Sequence, residues 1–173
     1  MPTTRIFGMR IKILDHEAIL QKTTRIAYQI IEENYEEKEL VLIGIRPNGS
    51  TYCEWLQKAI QASSKVKITI LNISLNKLQP LSEEIVFEKG KTSLKNKVVI
   101  LVDDVASTGK TAFYALKPIM DEQPKKVQIA VLVDRKHKQF PVSADFVGTS
   151  LSTTLQEHIL VNFSAKKSEA FLL

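Results

Sequence analysis

The residues best suited to chemistry sit in one stretch, Val98-Val99-Ile100-Leu101-Val102-Asp103-Asp104-Val105-Ala106-Ser107-Thr108-Gly109-Lys110-Thr111. Its apolar start reads as a buried strand, and two carboxylates appear where that strand emerges. A turn rich in hydroxyls and glycine follows and leads into a helix. The turn's backbone N–H groups, the helix dipole and the Ser107, Thr108 and Thr111 hydroxyls together make a phosphate cradle. Gly109 lets the backbone approach the anion closely. Two adjacent acids would repel that phosphate, so they suit a neutral diol beside it, whose hydroxyl protons they can accept. A sugar phosphate satisfies both halves. The competing reading makes Asp103 and Asp104 helix caps and leaves the hydroxyls to solvate a turn; the whole strand–acid–turn–helix string favours the ligand. A nucleoside-triphosphatase loop, G-x-x-x-x-G-K-[ST], is excluded, because its first glycine would fall on Asp104.

Other reactive side chains carry weaker signals. Cys53 is the single cysteine, which rules out an internal disulfide, and no Cys/His spacing resembles a zinc site. With Trp55 and Leu56 beside it, Cys53 reads as a packed or surface thiol on a helix rather than a nucleophile. Lys136, His137 and Lys138 form a basic run after a strand, and most such runs are solvated surface. The net charge of +5, from 24 Lys+Arg against 19 Asp+Glu, favours an anionic partner, either a phosphorylated small molecule or a nucleic acid.

The elements that must position these groups alternate along the chain. With 173 residues, 44% apolar and 25% charged, the composition is that of one soluble globular domain over residues 1–173. No apolar run approaches a membrane span, and Met1 to Arg10 lacks a signal-peptide core, so a cytoplasmic location is expected. A helix is predicted over 16–36 with Asp15 as its N-cap. A strand follows at Leu40–Ile45, then a turn at Pro47-Asn48-Gly49, a helix from Ser50 to Gln61 and a strand from Val66 to Ile73. Residues 74–96 read as a polar loop and arm with a short strand at Glu84–Phe87; a loop that long is more often functional than idle. Then come a strand at Lys97–Val102, a helix from Thr108 to Asp121, strands at Val127–Val133 and Ala144–Val147, and a last strand at Glu157–Phe163. Strand–helix alternation with near-continuous apolar strands argues for an α/β fold, a parallel central sheet flanked by helices. Ligands in such sheets bind at the carboxyl ends of the strands.

The acid pair followed by Ser107-Thr108-Gly109-Lys110-Thr111 resembles the donor-binding motif of the type I phosphoribosyltransferases. Two further stretches strengthen the likeness. Val41-Leu42-Ile43-Gly44-Ile45-Arg46-Pro47-Asn48-Gly49 is similar to the diphosphate loop of that superfamily. Ala130 to Lys138, with Pro141 and Ala144 to Gly148, is similar to the branch of pyrimidine-operon regulators that carry uracil phosphoribosyltransferase activity. So is the opening Ile13-Leu14-Asp15-His16-Glu17-Ala18-Ile19, and the likeness spans about Ile13 to Phe163.

The resemblance implies a Rossmann-like core over about 13–150 with a small C-terminal hood at about 150–165. It implies 5-phosphoribosyl diphosphate (PRPP) as donor, a nitrogenous base, with uracil favoured, as acceptor, and Mg²⁺ held mainly through the donor and at Asp103. By the same likeness Asp103 and Asp104 are catalytic residues on the ribose hydroxyls. Ser107, Thr108, Gly109, Lys110 and Thr111 hold the 5-phosphate, Val105 and Ala106 join them in binding PRPP, and Arg46, Asn48 and Gly49 serve the diphosphate. His158 and Ile159 face the base from the hood. Homodimers or larger assemblies and an RNA partner are further implications of that branch.

Three positions depart from its pattern. Pro47-Asn48 replaces a Thr-Arg pair, Asn76-Lys77-Leu78-Gln79 replaces Tyr-Arg-Asp-Asp, and Ser143 stands where a basic residue is expected. Ser107 lacks the carboxylate that purine-salvage enzymes place there, which argues against a 6-oxopurine. An RNA-binding attenuation regulator and a non-catalytic PRPP or nucleotide sensor are the alternative readings.

Overall fold

The computed structural model describes residues 10–88 and 90–173. The Met1–Arg10 stretch lies outside them, apart from Arg10. In chain order the elements are β1 (Ile11–Leu14), α1 (His16–Glu33), β2 (Glu39–Ile45), α2 (Asn48–Ser63), β3 (Lys67–Ser74) and β4 (Val86–Glu88), followed by β5 (Val98–Ala106), α3 (Lys110–Met120), β6 (Lys126–Arg135), β7 (Phe146–Leu151), β8 (Ile159–Asn162) and β9 (Glu169–Leu172).

The apolar runs build a six-stranded sheet in the order β4-β3-β2-β5-β6-β7. Five strands are parallel, and β4 lies antiparallel on the β3 edge. On β5, Val98, Ile100 and Val102 enter a core shared with Ile26, Tyr52 and Leu56 of α1 and α2. Val99 and Leu101 enter a second core with Ala115 and Ile119 of α3. A strand that feeds two cores on alternate residues must be apolar throughout, which explains the unbroken run. Among the described residues no helix is long and apolar enough to cross a membrane.

A second, three-stranded antiparallel sheet, ordered β1-β9-β8, forms the hood. It sinks Val161 and Ala170 into the α1–α2 core. The hood therefore draws on both ends of the described chain, whereas the sequence places hood elements only at about 150–165. Residues 169–172 carry too little pattern to announce a strand; β8 and β1 make them one by pairing on either side.

Several boundaries differ from the sequence expectation. As expected, Asp15 caps α1 by accepting the Ala18 N–H at 2.8 Å. The helix ends at Glu33 rather than residue 36, because the Asn34 amide turns back onto the Ile30 carbonyl at 2.9 Å and across to Gln128 at 3.0 Å. β5 runs on to Ala106 instead of stopping at Val102, since β6 keeps pairing with it through Asp103↔Val131 and Ala106↔Asp134. α3 starts at Lys110 rather than Thr108, because Gly109 takes φ +82° and breaks helical geometry. β7 likewise runs to Leu151, carried by its pairing with β6.

Candidate active site

β5 is an interior strand, so its carboxyl end opens between the elements that flank it, and Asp103 and Asp104 lie there, 6% and 8% exposed. Asp103 belongs to the α3 face. Its carboxylate accepts Lys77 Nζ on both oxygens at 3.1 Å and the Asp104 N–H at 3.0 Å. Burial and the neighbouring Asp104 charge push its carboxyl up to about 8, against the pull of Lys77. Asp104 belongs to the opposite face. Its Oδ2 accepts Asn48 Nδ2 at 2.7 Å, and the same amide donates to the Val161 carbonyl of β8 at 3.0 Å. One side chain thus ties β5, α2 and the hood together. The approach of α2 to β5 requires Gly49, where a Cβ would lie 2.4 Å from the Val102 carbonyl oxygen.

Asp103 shares a cavity with every residue from Val105 to Thr111. The turn is held from behind: the Thr108 carbonyl accepts the Gln139 and Phe140 N–H groups at 2.9 and 3.0 Å. Thr108 Oγ1 accepts the Lys110 N–H at 3.2 Å across the turn. Lys110 Nζ donates to the Leu78 carbonyl at 3.0 Å. An oxyanion placed against this turn would meet backbone N–H groups, hydroxyls and an ammonium at once.

Lys138 lines the same cavity, donating to Asp134 at 2.5 Å and to the Ser107 carbonyl at 3.3 Å. Arg135 is buried, with Nε on Thr153 at 2.8 Å and Nη2 on the Thr154 carbonyl at 3.0 Å. His137 Nε2 meets the Thr153 carbonyl. Within the basic run Lys136 and Lys138 are exposed, in keeping with its reading as solvated surface, while His137 is half-buried and Lys138 also reaches onto Asp134 and Ser107. Arg46, at the end of β2, pairs with Glu88 of β4 at 2.7 Å, both side chains nearly half exposed.

The structure does not bring every flagged residue into that cavity. His158 precedes β8 with its side chain exposed, and its backbone exchanges hydrogen bonds with Leu173 at 3.0 and 2.8 Å. Ile159 packs toward the α1–α2 core. Both lie on the hood, the Asp104 side of the sheet. Cys53 is fully buried, and burial pushes its thiol up, out of reach of nucleophilic chemistry. Among the described residues no group of three or more His, Cys, Asp or Glu could hold a metal. A separate cleft of about 670 Å³, lined by His16, Trp55 and Phe163 among others, contains none of the flagged residues.

Sequence reasoning missed Lys77 as a site residue and noticed it only as part of a departure from a motif. Its place on Asp103 depends on the register of β3 beside β2, and a single lysine in a polar loop carries no periodic signal.

The phosphoribosyl transferase domain model matches residues 10–166. The chain is 39% identical to the Bifunctional protein PyrR of Clostridium acetobutylicum, covering 90% of this chain and 91% of that protein. It is 40% identical to the Bifunctional protein PyrR of Pelotomaculum thermopropionicum, with 87% of each covered. Among solved structures, a hypoxanthine-guanine phosphoribosyltransferase from Bacillus anthracis superposes with TM-score 0.72 at 21% identity over 86% of each chain. The hypoxanthine phosphoribosyltransferase of Trypanosoma cruzi gives TM-score 0.72 at 19% identity over 82% of each chain. At those identities the structural likeness concerns the fold.

Proposed function

The chain belongs to the phosphoribosyl transferase family, and from that premise we propose that it moves the 5-phosphoribosyl group of PRPP to a ring nitrogen of uracil, releasing diphosphate. One observation carries this reading: Asp103 and the whole Val105–Thr111 turn line one cavity at the carboxyl end of the interior strand β5. The 5-phosphate sits in the turn, Arg46 and the Asn48-Gly49 corner serve the diphosphate, and the base enters from the hood carrying His158 and Ile159. The ribose then lies across the end of β5, between its two faces, with Asp103 on one side and Asp104 on the other.

The bond from the anomeric carbon to the diphosphate oxygen breaks as the base nitrogen attacks, and the sugar carries positive charge at the transition state. Asp104, fixed by Asn48 and needing no reorganisation, supplies the preorganised negative charge for that state. Asp103 orients the ribose hydroxyls from the cavity side. Anchoring the sugar through its 5-phosphate removes much of the entropic cost of bringing donor and base together.

Among the described residues no third acid joins these two buried carboxylates to form an all-protein metal cage. The cavity side fits a magnesium ion that takes most of its oxygens from substrate and water. Asp103 would hold it together with the donor, and when bound it would neutralise charge on the leaving diphosphate.

Uracil is favoured over a purine because Ser107 offers a hydroxyl rather than a carboxylate. The decisive experiment incubates the protein with PRPP, Mg²⁺ and each of uracil, hypoxanthine, guanine and adenine, following diphosphate release. Release with uracil alone is expected, and release with none of the bases would move the protein to the sensor class. The net +5 supports an anionic second partner, and the resemblance to pyrimidine-operon regulators makes RNA the one to test. Binding to a structured RNA that falls steeply with salt would establish it.

A further inference from the structure

Three residues assigned to the donor are already engaged in the free protein, all by one excursion of the chain. β3 and β4 pair through Asn72↔Glu88, Ile73↔Phe87 and Ser74↔Val86, so residues 75–85 leave the sheet and return to its edge as a closed arm. From this arm Lys77 Nζ meets both carboxylate oxygens of Asp103 at 3.1 Å. The Leu78 carbonyl accepts Lys110 Nζ at 3.0 Å. Where the arm closes, Glu88 accepts Arg46 Nη2 at 2.7 Å.

The chemistry of these contacts matches that of the donor point for point. A cation lies on the acid that would meet the metal–sugar complex. A carboxylate lies on the arginine that would meet the diphosphate, and an oxygen lies on the turn's ammonium. Arg46–Glu88 taken alone is an exposed ion pair of small energetic weight. Lys77 differs, because it is the counter-charge of a buried carboxylate that also has Asp104 beside it.

We infer that the 75–88 arm is an internal competitor for the donor: Lys77 and Glu88 hold Asp103 and Arg46 until Mg²⁺–PRPP displaces them. This rests on the assignment of Asp103 and Arg46 to the donor made above. Donor binding then draws only on the fraction of molecules whose arm is released. An arm docked about nine-tenths of the time raises the apparent Kd about tenfold.

The test is calorimetric titration of the full chain with Mg²⁺–PRPP, comparing the wild type with Lys77→Met and Glu88→Gln. Hydrogen exchange over residues 75–88 is measured alongside, without ligand. Lys77→Met removes the counter-charge of a buried acid and lowers stability, so Glu88→Gln, on an exposed edge, decides the matter if the first variant does not fold. Competition gives faster exchange in the arm and a lower donor Kd, by up to about tenfold for Lys77→Met and about two- to threefold for Glu88→Gln, whose pair is the weaker one. Faster exchange with Kd unchanged or raised overturns it, as does unchanged exchange. If the arm loosens but neither the wild type nor Glu88→Gln binds the donor, the assignment of Asp103 and Arg46 is what fails, and the competition falls with it.

Discussion

Asp103 and Asp104 are neighbours in the chain but lie on opposite faces of β5, one paired with Lys77 and the other with Asn48. Strand geometry dictates this, since successive side chains alternate. The two acids therefore answer to different surroundings: Asp103 to the phosphate cavity and the arm, Asp104 to α2 and the hood. Replacing one does not imitate replacing the other.

Asp104→Asn keeps the shape of the side chain and removes its charge. Turnover should fall about a hundredfold, because a preorganised charge is worth most when the sugar is cationic. The donor Kd should change much less, as the turn still holds the phosphate. Thr111→Ala should show the reverse balance, raising donor Kd more than it lowers kcat. Steady-state kinetics with direct donor titration separates the two patterns.

Saturating Mg²⁺–PRPP should raise the melting temperature. A ligand at a hundred times its Kd adds about 2.7 kcal/mol to a fold that alone can bind it. For a domain of this size that corresponds to about 5–10 °C. A melt that PRPP leaves unmoved removes the basis for the site.

Acidity should stabilise the ligand-free protein through Asp103. Its carboxyl titrates near 8 when folded against an ordinary 3.8, so the native state binds more protons between those values. Stability from this group is complete below the lower value and declines as pH rises to the upper one. Asp103→Asn should flatten the pH dependence of chemical denaturation midpoints across that window. An unchanged profile would show that Asp103 is ionised throughout.

Asn48→Ala should cost stability as well as activity. It strips the donor from buried Asp104 and from the Val161 carbonyl together, a loss of about 1–3 kcal/mol for each orphaned acceptor that water does not reach. Asn48→Asp should be worse, since it sets a second carboxylate against Asp104. Denaturant titration orders the three proteins.

The Val98–Thr111 string was legible because every step in it is local: a run of apolar residues, an acid pair, a turn that needs glycine, a helix start. The parallel sheet was legible for the same reason, since a strand such as Leu40–Ile45 buried on both faces has no polar side to show. The facing of the two acids was recoverable from strand alternation alone. The arm was not. Lys77 and Asp103 are 26 residues apart, and Arg46 and Glu88 are 42 apart. Those distances close only because β3 lies beside β2 and β4 folds back on β3. The hood was half legible: β8 has a hydrophobic pattern of its own, while β9 is a strand only because β1 and β8 pair on either side of it.

The two-core construction of β5 also limits how this chain can drift over generations. Gaining or losing one residue ahead of Asp103 would shift the register by one, send Asp103 toward Asn48 and Asp104 toward Lys77, and turn each core residue into the wrong layer. Between Leu75 and Ile85 the arm bears no such register, so its length can change while the strand that presents the acids stays fixed. Lineages of this fold should accordingly accumulate insertions and deletions in the arm and almost none in β5.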